Sequence, residues 1–194
     1  MRQVIMQFTI SLDGYSCDPF AQLPGLMDDV DDPEQEQYFL DRIGRAGTHI
    51  MGRTTYQEMA RFWPEAHDHP VAPFMNNTPK VVFSKTLQTA DWPESRIASG
   101  DTAEEIAKLK AEPGGEILAH GGIAFQQSLA RLDLVDEYRL WVVPAAVGKG
   151  EPLFTGLDRP LTLRPVTSRV FRCGLVELVY TRASRPAPPA HSAS

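Results

Sequence analysis

The sequence predicts an α/β fold with a mainly parallel central sheet and antiparallel strands at its C-terminal end. Up to about residue 132, short apolar runs alternate with stretches of helical periodicity, the pattern of strand–helix–strand units that set parallel strands side by side. From Asp136 onward only strand-like runs remain. The last two are joined by Arg172-Cys173-Gly174, a link short enough for a hairpin with Gly174 as the turn residue, so they pair antiparallel.

Each element has a local reason. The run Val4-Ile5-Met6-Gln7-Phe8-Thr9-Ile10 reads as a buried strand, ended by the turn signal Asp13-Gly14. Residues 15–31 lack periodicity and hold Pro19, Pro24 and Gly25, so a long loop is expected there. Asp32-Pro33-Glu34-Gln35 opens a helix, with Asp32 as cap and Pro33 in the first turn. Phe39, Leu40, Ile43 and Ala46 form its apolar stripe, and Glu36, four before Leu40 and seven before Ile43, points toward it.

A strand over 48–51 leads through Gly52-Arg53-Thr54-Thr55 into a helix that Pro64 stops. Residues 65–79 read as a loop and 80–83 as a strand. Asp101 caps a helix through Ala111, a strand over 116–120 ends at Gly121-Gly122, and a helix with Phe125, Leu129 and Leu132 on one side follows. Strands are expected over 137–143, 161–171 with a break at Pro165, and 175–181. The Pro-, Ala- and Ser-rich tail 183–194 is expected to be disordered, leaving one domain over 1–182.

Composition excludes several classes. The chain has 194 residues and a formal charge of −6, with no Lys/Arg run, which argues against a nucleic-acid binder that tracks phosphates. Its apolar stretches are too short to span a bilayer and its start lacks a signal-peptide core, so a cytoplasmic protein is expected. Cys17 and Cys173 have neither CxxC spacing nor a His partner pattern. His67 and His69 lack further ligands at metal-site spacing, and no metal is expected.

Three strands end alike, in Gly52-Arg53-Thr54, Ser84-Lys85 and Gly121-Gly122. In a parallel sheet these ends share one edge, where helix N-termini offer unpaired N–H groups suited to phosphate. Glycine admits a close backbone approach, while Arg53 and Lys85 add charge and Thr54, Thr55 and Ser84 add hydroxyls. A multi-phosphate ligand is the natural candidate. Neither GxGxxG nor GK[ST] is present.

Ile50-Met51-Gly52-Arg53-Thr54-Thr55-Tyr56 resembles the strand-to-helix signature of dihydrofolate reductases. Ser11-Leu12-Asp13-Gly14, His120-Gly121-Gly122, Leu134 through Leu140, and Pro144 through Phe154 are similar to the reductase domain of bifunctional riboflavin-biosynthesis enzymes. The resemblance covers about residues 2–182 and implies a dihydrofolate reductase-like, three-layer α/β/α fold that binds NADPH and passes a hydride to a heterocycle. It would place Gly52, Arg53, Thr54 and Thr55 at the adenosine-side phosphates, Ser84 and Lys85 at the 2′-phosphate, and Gly121 and Gly122, joined by a cis bond, beneath the diphosphate.

The proton donor would be Glu36, with a pKa raised by its apolar helix face, or else Asp13. Phe8, Phe39 and Trp63 are the candidate aromatic wall for a flat ring. Residues 17–25 lack the Trp and the Leu-Pro-x-Asp/Glu pattern of true dihydrofolate reductases, which favours a ribosylaminopyrimidine-like or pterin-like substrate over dihydrofolate. The alternatives are a nucleotide-binding module without turnover, or a true dihydrofolate reductase. Tyr138 through Val143 offers more apolar surface than one sheet face needs, so a homodimer is expected.

Overall fold

A computed structural model describes residues 1–16 and 32–183. In chain order the elements are β1 (Val4–Ser11), α1 (Pro33–Ile43), β2 (Ala46–Gly52), α2 (Arg53–Phe62), a 3-10 turn (Trp63–Glu65), α3 (Ala72–Asn77), β3 (Lys80–Phe83), β4 (Ser95–Ile97), α4 (Thr102–Ala111), β5 (Glu116–Ala119), α5 (Ile123–Arg131), β6 (Glu137–Val143), β7 (Leu163–Val170) and β8 (Val176–Arg182). Most of the long loop expected over 15–31, Cys17, and nearly all of the tail lie outside the described residues.

The strands form one sheet in the order β4-β3-β2-β5-β1-β6-β8-β7. All pairs through β6 are parallel, and β8 and β7 add antiparallel. Val4, Ile5 and Met6 have no exposed surface, which explains why the central strand reads as a continuous apolar run rather than an alternation. Ile43 of α1, Tyr56 of α2 and Met75 of α3 pack with Ile5, Met51 and Leu118 on one face. Ile106 and Leu109 of α4 and Leu129 of α5 pack with Val4, Met6 and Ala119 on the other.

Several details differ from the sequence expectation. Residues 65–79 are not all loop, because α3 forms there and Lys80 donates from Nζ to the carbonyls of Met75, Asn76 and Thr78 at 2.8, 3.0 and 2.8 Å. The three-residue β4 was too short to show in the pattern. The first helix ends at Ile43, and the chain enters β2 at Ala46, where a helix end was expected. β7 runs through Pro165 with a register shift between Pro165 and Thr167; an edge strand tolerates proline at such an irregularity.

The apolar surface of β6 is used within the chain. β6 pairs with β1 on one side and β8 on the other, and Tyr138, Leu140, Trp141 and Val143 are buried, so the reason offered for pairing through this strand is removed. The edges of the sheet are β4 and β7, and on β7 Val166 and Val170 are exposed. Among the described residues, no helix is long and apolar enough to cross a membrane.

Candidate active site

The topology creates a crevice. β1 and β5 are neighbours, yet the chain leaves β1 through α1 to reach β2 and leaves β5 through α5, on the opposite face, to reach β6. Such a switch in direction opens a cleft at the carboxyl ends of the strands. The register shows it: β1 pairs with β5 only as far as Met6 and Ala119, but with β6 as far as Ser11 and Val143.

Beside this crevice a groove of about 590 Å³ is lined by Gly52, Arg53, Thr54, Thr55, Ser84, Lys85 and Gly122, with Phe83 and Phe125 as its apolar wall. Those two rings stack with centroids 5.0 Å apart. Gly121 adjoins the groove; a Cβ there would come within 3.9 Å of Thr55 Oγ1. The structure therefore brings together all eight residues proposed for phosphate contact.

The helix ends differ in a way that matters for anions. α1 and α4 are capped by the side chains of Asp32 and Asp101 and carry acids in their first turns. α2 and α5 begin at Gly52 and Gly122 with no side-chain cap and no first-turn acid. Their leading N–H groups are left without the acceptor that a cap supplies, and both open on the groove. Arg53 reaches Thr86 Oγ1 at 2.9 Å, and Ser84 Oγ accepts from the N–H of Thr86 and Leu87 at 3.2 and 2.9 Å. The strand-end turn that carries Lys85 is thus held beside Arg53. Glu58 is the one carboxylate on the groove wall among the described residues.

Gly122 has φ of +81°, and a Cβ on it would stand 2.7 Å from Thr55 Oγ1. Glycine is required there twice, by conformation and by space. All peptide bonds among the described residues are trans, so the cis link expected between Gly121 and Gly122 is not present.

His120, which precedes this turn, is buried, and its Nε2 lies 2.7 Å from His49 Nδ1. His49 Nε2 faces the carbonyl of Phe74 at 3.1 Å. A carbonyl only accepts, so His49 Nε2 carries its proton and Nδ1 accepts from His120. Burial drives the His49 pKa down to about 4 and that of His120 well below the ordinary histidine value, which keeps both rings neutral.

The two candidate acids fare differently from expectation. Glu36 is exposed and has no hydrogen-bond or ion-pair partner among the described residues. The buried side of α1 runs through Tyr38, Phe39, Arg42 and Ile43, so the stripe is rotated away from Glu36 and the burial on which its acid role rested is absent. Asp13 accepts from Ser11 Oγ at 2.6 Å and from the N–H of Val147 and Gly148 at 3.1 and 2.7 Å. The Ser11 hydroxyl, with these backbone donors, holds its carboxyl below the usual range. Asp13 anchors a turn as a carboxylate and is poorly suited to give up a proton.

The aromatic wall is also redistributed. Phe8 packs in the core on the α4 and α5 side, whereas Phe39 lies on the other face with its ring 6.0 Å from Trp141. Trp63 sits just beyond the far end of α2, roughly 15 Å along the helix from Gly52, packed on Phe62 and His69. The three rings do not form one wall.

Sequence reading missed a second cluster, behind Phe39. Tyr38 donates to Glu177 Oε2, Arg42 reaches both, and the Trp141 and Phe171 rings stack 5.5 Å apart beside them. Glu177 has no exposed surface. Tyr38 and Glu177 are 139 residues apart, and no local pattern marks such a pair; a carboxylate in an apolar strand was its one visible sign. Among the described residues, no group of three or more His, Cys, Asp or Glu side chains could hold a metal ion.

Residues 2–176 match the family model for the RibD C-terminal domain. The chain belongs to the RibD C-terminal domain family. It is 29% identical over 187 residues to the uncharacterized protein YyaP of Bacillus subtilis (strain 168), covering 92% of this chain and 94% of that protein. The uncharacterized protein YwjB of the same strain is also 29% identical, over 184 residues, covering 94% of this chain and 99% of that protein. Among solved structures, a Shewanella sp. PV-4 protein assigned provisionally to riboflavin biosynthesis superposes with a TM-score of 0.73 at 26% identity, covering 94% of this chain and 99% of that one. Enterococcus faecalis dihydrofolate reductase, solved with NADP(H), superposes with a TM-score of 0.60 at 14% identity, covering 94% of this chain and 97% of that one. The fold is dihydrofolate reductase-like, and family and neighbours together point to a reductase.

Proposed function

We propose that this RibD C-terminal domain protein is an NADPH-dependent reductase acting on a small heterocycle of ribosylaminopyrimidine or pterin type. The observation that carries this reading is the groove in which two uncapped helix N-termini, Arg53 and Lys85 converge on Gly52 and Gly122. NADPH fits these residues: the N–H groups that open α2 and α5 would take the diphosphate, Gly122 leaves the room that a side chain would fill, and Ser84 and Lys85 would take the 2′-phosphate. When bound, the cofactor supplies a hydride. The chain's own work is to hold it along the sheet edge and to seat the ring in the crevice beyond Met6 and Ala119.

Neither Glu36 nor Asp13 is placed as a buried proton donor, so protonation would come from solvent or from the substrate itself. The same fact favours the second reading, a nucleotide-binding module without turnover. NADPH oxidation across a panel of pyrimidine and pterin rings separates the two. Turnover on any ring supports the reductase; tight NADPH binding with no turnover on the whole panel supports the module.

A homodimer is proposed as well, though not through Tyr138–Val143, which is covered within the chain; the exposed edge strand β7 is the surface offered instead, since such an edge is a ready template for a second copy. A monomer by light scattering rules it out.

A further inference from the structure

A second groove, of about 710 Å³, opens at the other end of the sheet from Gly52 and Gly122. Gln3 and Asp136, which precede β1 and β6, line it together with Thr181 and Arg182 at the end of β8. It therefore lies at the amino ends of the parallel strands. Its volume is that of a small-molecule site. Ala130, Leu157 and Leu161 give it an apolar side, and Arg131, Arg159 and Arg182 bring guanidiniums from three separate segments. A Cβ on Gly156 would come within 3.6 Å of Arg131 Cδ, so the Arg131 side chain runs across the groove mouth toward the segment that carries Arg159.

The charge there favours an anion. From Arg159 to Arg182 the chain holds five arginines and one acid, Glu177, which has no exposed surface, although the whole chain carries −6. Of the groove's three carboxylates, two are spent. Asp136 is taken by Lys110 Nζ at 2.6 Å and the Val4 N–H at 2.8 Å. Asp133 is taken by Arg182, which reaches both its carboxylate and its carbonyl, and by Arg159 at 3.3 Å. Asp158 alone has no ion pair among the described residues. A guanidinium has five N–H donors; Arg159 places one contact and Arg131 none among the described residues, which leaves two forks with donors to spare.

The carboxyl end of α5 forms one wall, and free carbonyls at a helix end repel anions. Here they are covered. The N–H groups of Leu132, Asp133 and Leu134 donate to the carbonyls of Ser128, Ala130 and Leu129 at 3.0, 3.1 and 3.0 Å. Asp133 holds the left-handed position of this turn, with φ of +59°, where glycine fits without strain. The aspartate supplies instead the carboxylate that fixes Arg159 and Arg182 beside the groove. We propose that this groove binds a small organic anion, an oxyanion group on a short apolar body, with Arg131 and Arg159 on the oxyanion and Leu157 and Leu161 against the body. The claim is independent of the reductase reading, because the two grooves share no residue.

The test is calorimetric titration of the full chain with phenyl phosphate and with benzoate, each with and without saturating NADPH. Inorganic phosphate and acetate carry the charged head without the body, and phenol the body without the head. The expected result is that phenyl phosphate or benzoate binds with a Kd below about 1 mM, roughly tenfold or more tightly than any of the three controls. Arg131→Gln and Arg159→Gln should each weaken it about tenfold. Both side chains are exposed, so urea midpoints and NADPH affinity should stay near wild type in these variants. Saturating NADPH and Lys85→Ala should leave organic-anion binding unchanged. The proposal is overturned if neither organic anion binds, if a control binds as tightly, or if either arginine variant keeps wild-type affinity. It is also overturned if NADPH or Lys85→Ala abolishes binding, since the anion then occupies the groove at Gly52 and Gly122. Failure to bind NADPH counts against the reductase reading alone, because the Lys85→Ala titration still locates the anion.

Discussion

Lowering the pH from 7 to 5 should destabilise the fold through the His49–His120 pair. In the native state His49 donates from Nε2 to the Phe74 carbonyl and accepts at Nδ1 from His120, so an added proton must go on Nδ1, against the His120 N–H. Burial, with Lys80 nearby, holds the His49 pKa at about 4, against 6.5 for the free side chain. A histidine with a depressed native pKa is protonated first in the unfolded chain. Between pH 6.5 and 4 the unfolded state therefore binds more protons, and stability falls as pH falls. The linkage relation gives a loss of about 2 kcal/mol for His49 alone between pH 7 and pH 5, and His120, shifted in the same direction by burial and by His49, adds to it. The assay is urea unfolding at both pH values for wild type and His49→Gln, whose amide can still reach the Phe74 carbonyl but does not titrate. The variant should lose about 2 kcal/mol less than wild type over the interval, or roughly 1 M in the urea midpoint. Equal pH dependence in the two proteins would refute the reasoning and place the acid sensitivity in the carboxylates.

Other outcomes follow from single contacts. Gly122→Ala forces a side chain into positive φ and onto Thr55 Oγ1; NADPH affinity should fall about tenfold or more, and a titration showing wild-type affinity would contradict the groove assignment. Lys80→Met leaves the Met75, Asn76 and Thr78 carbonyls without their donor and should cost about 2 kcal/mol or more in urea unfolding. Tyr38→Phe removes a donor to the buried Glu177 and should cost about 1.5–3 kcal/mol. Glu36→Gln changes an exposed side chain and should leave stability within about 0.5 kcal/mol.

Local signals carried most of the fold. Asp32-Pro33 and Asp101 mark helix starts because caps act within one turn, and both are found capping. Gly52-Arg53 and Gly121-Gly122 were readable as a site because they sit where strands become helices, and parallel pairing alone brings strand ends to one edge. The phase of α1 was harder to read. Positions 36, 40 and 43 fit a helical stripe as well as 38, 39, 42 and 43 do, and Arg42 and Tyr38 looked polar until Glu177 was brought beneath them. Phe8 and Phe39 were grouped by residue type, although strand alternation and helix placement put them on opposite faces. The apolar run Tyr138 through Val143 looked like spare surface because its partners, β1 on one side and β8 on the other, are far away in sequence.

The central claim is the groove's preference for a 2′-phosphorylated dinucleotide, and thermal unfolding with NADPH and NADH in parallel tests it most directly. A ligand at one hundred times its dissociation constant adds ~2.7 kcal/mol, which for a chain of this size raises the midpoint by roughly 5–11 °C. The account predicts a shift of that order with NADPH, a much smaller one with NADH, and loss of the difference in Lys85→Ala. Equal shifts with both nucleotides, or none with either, would contradict it.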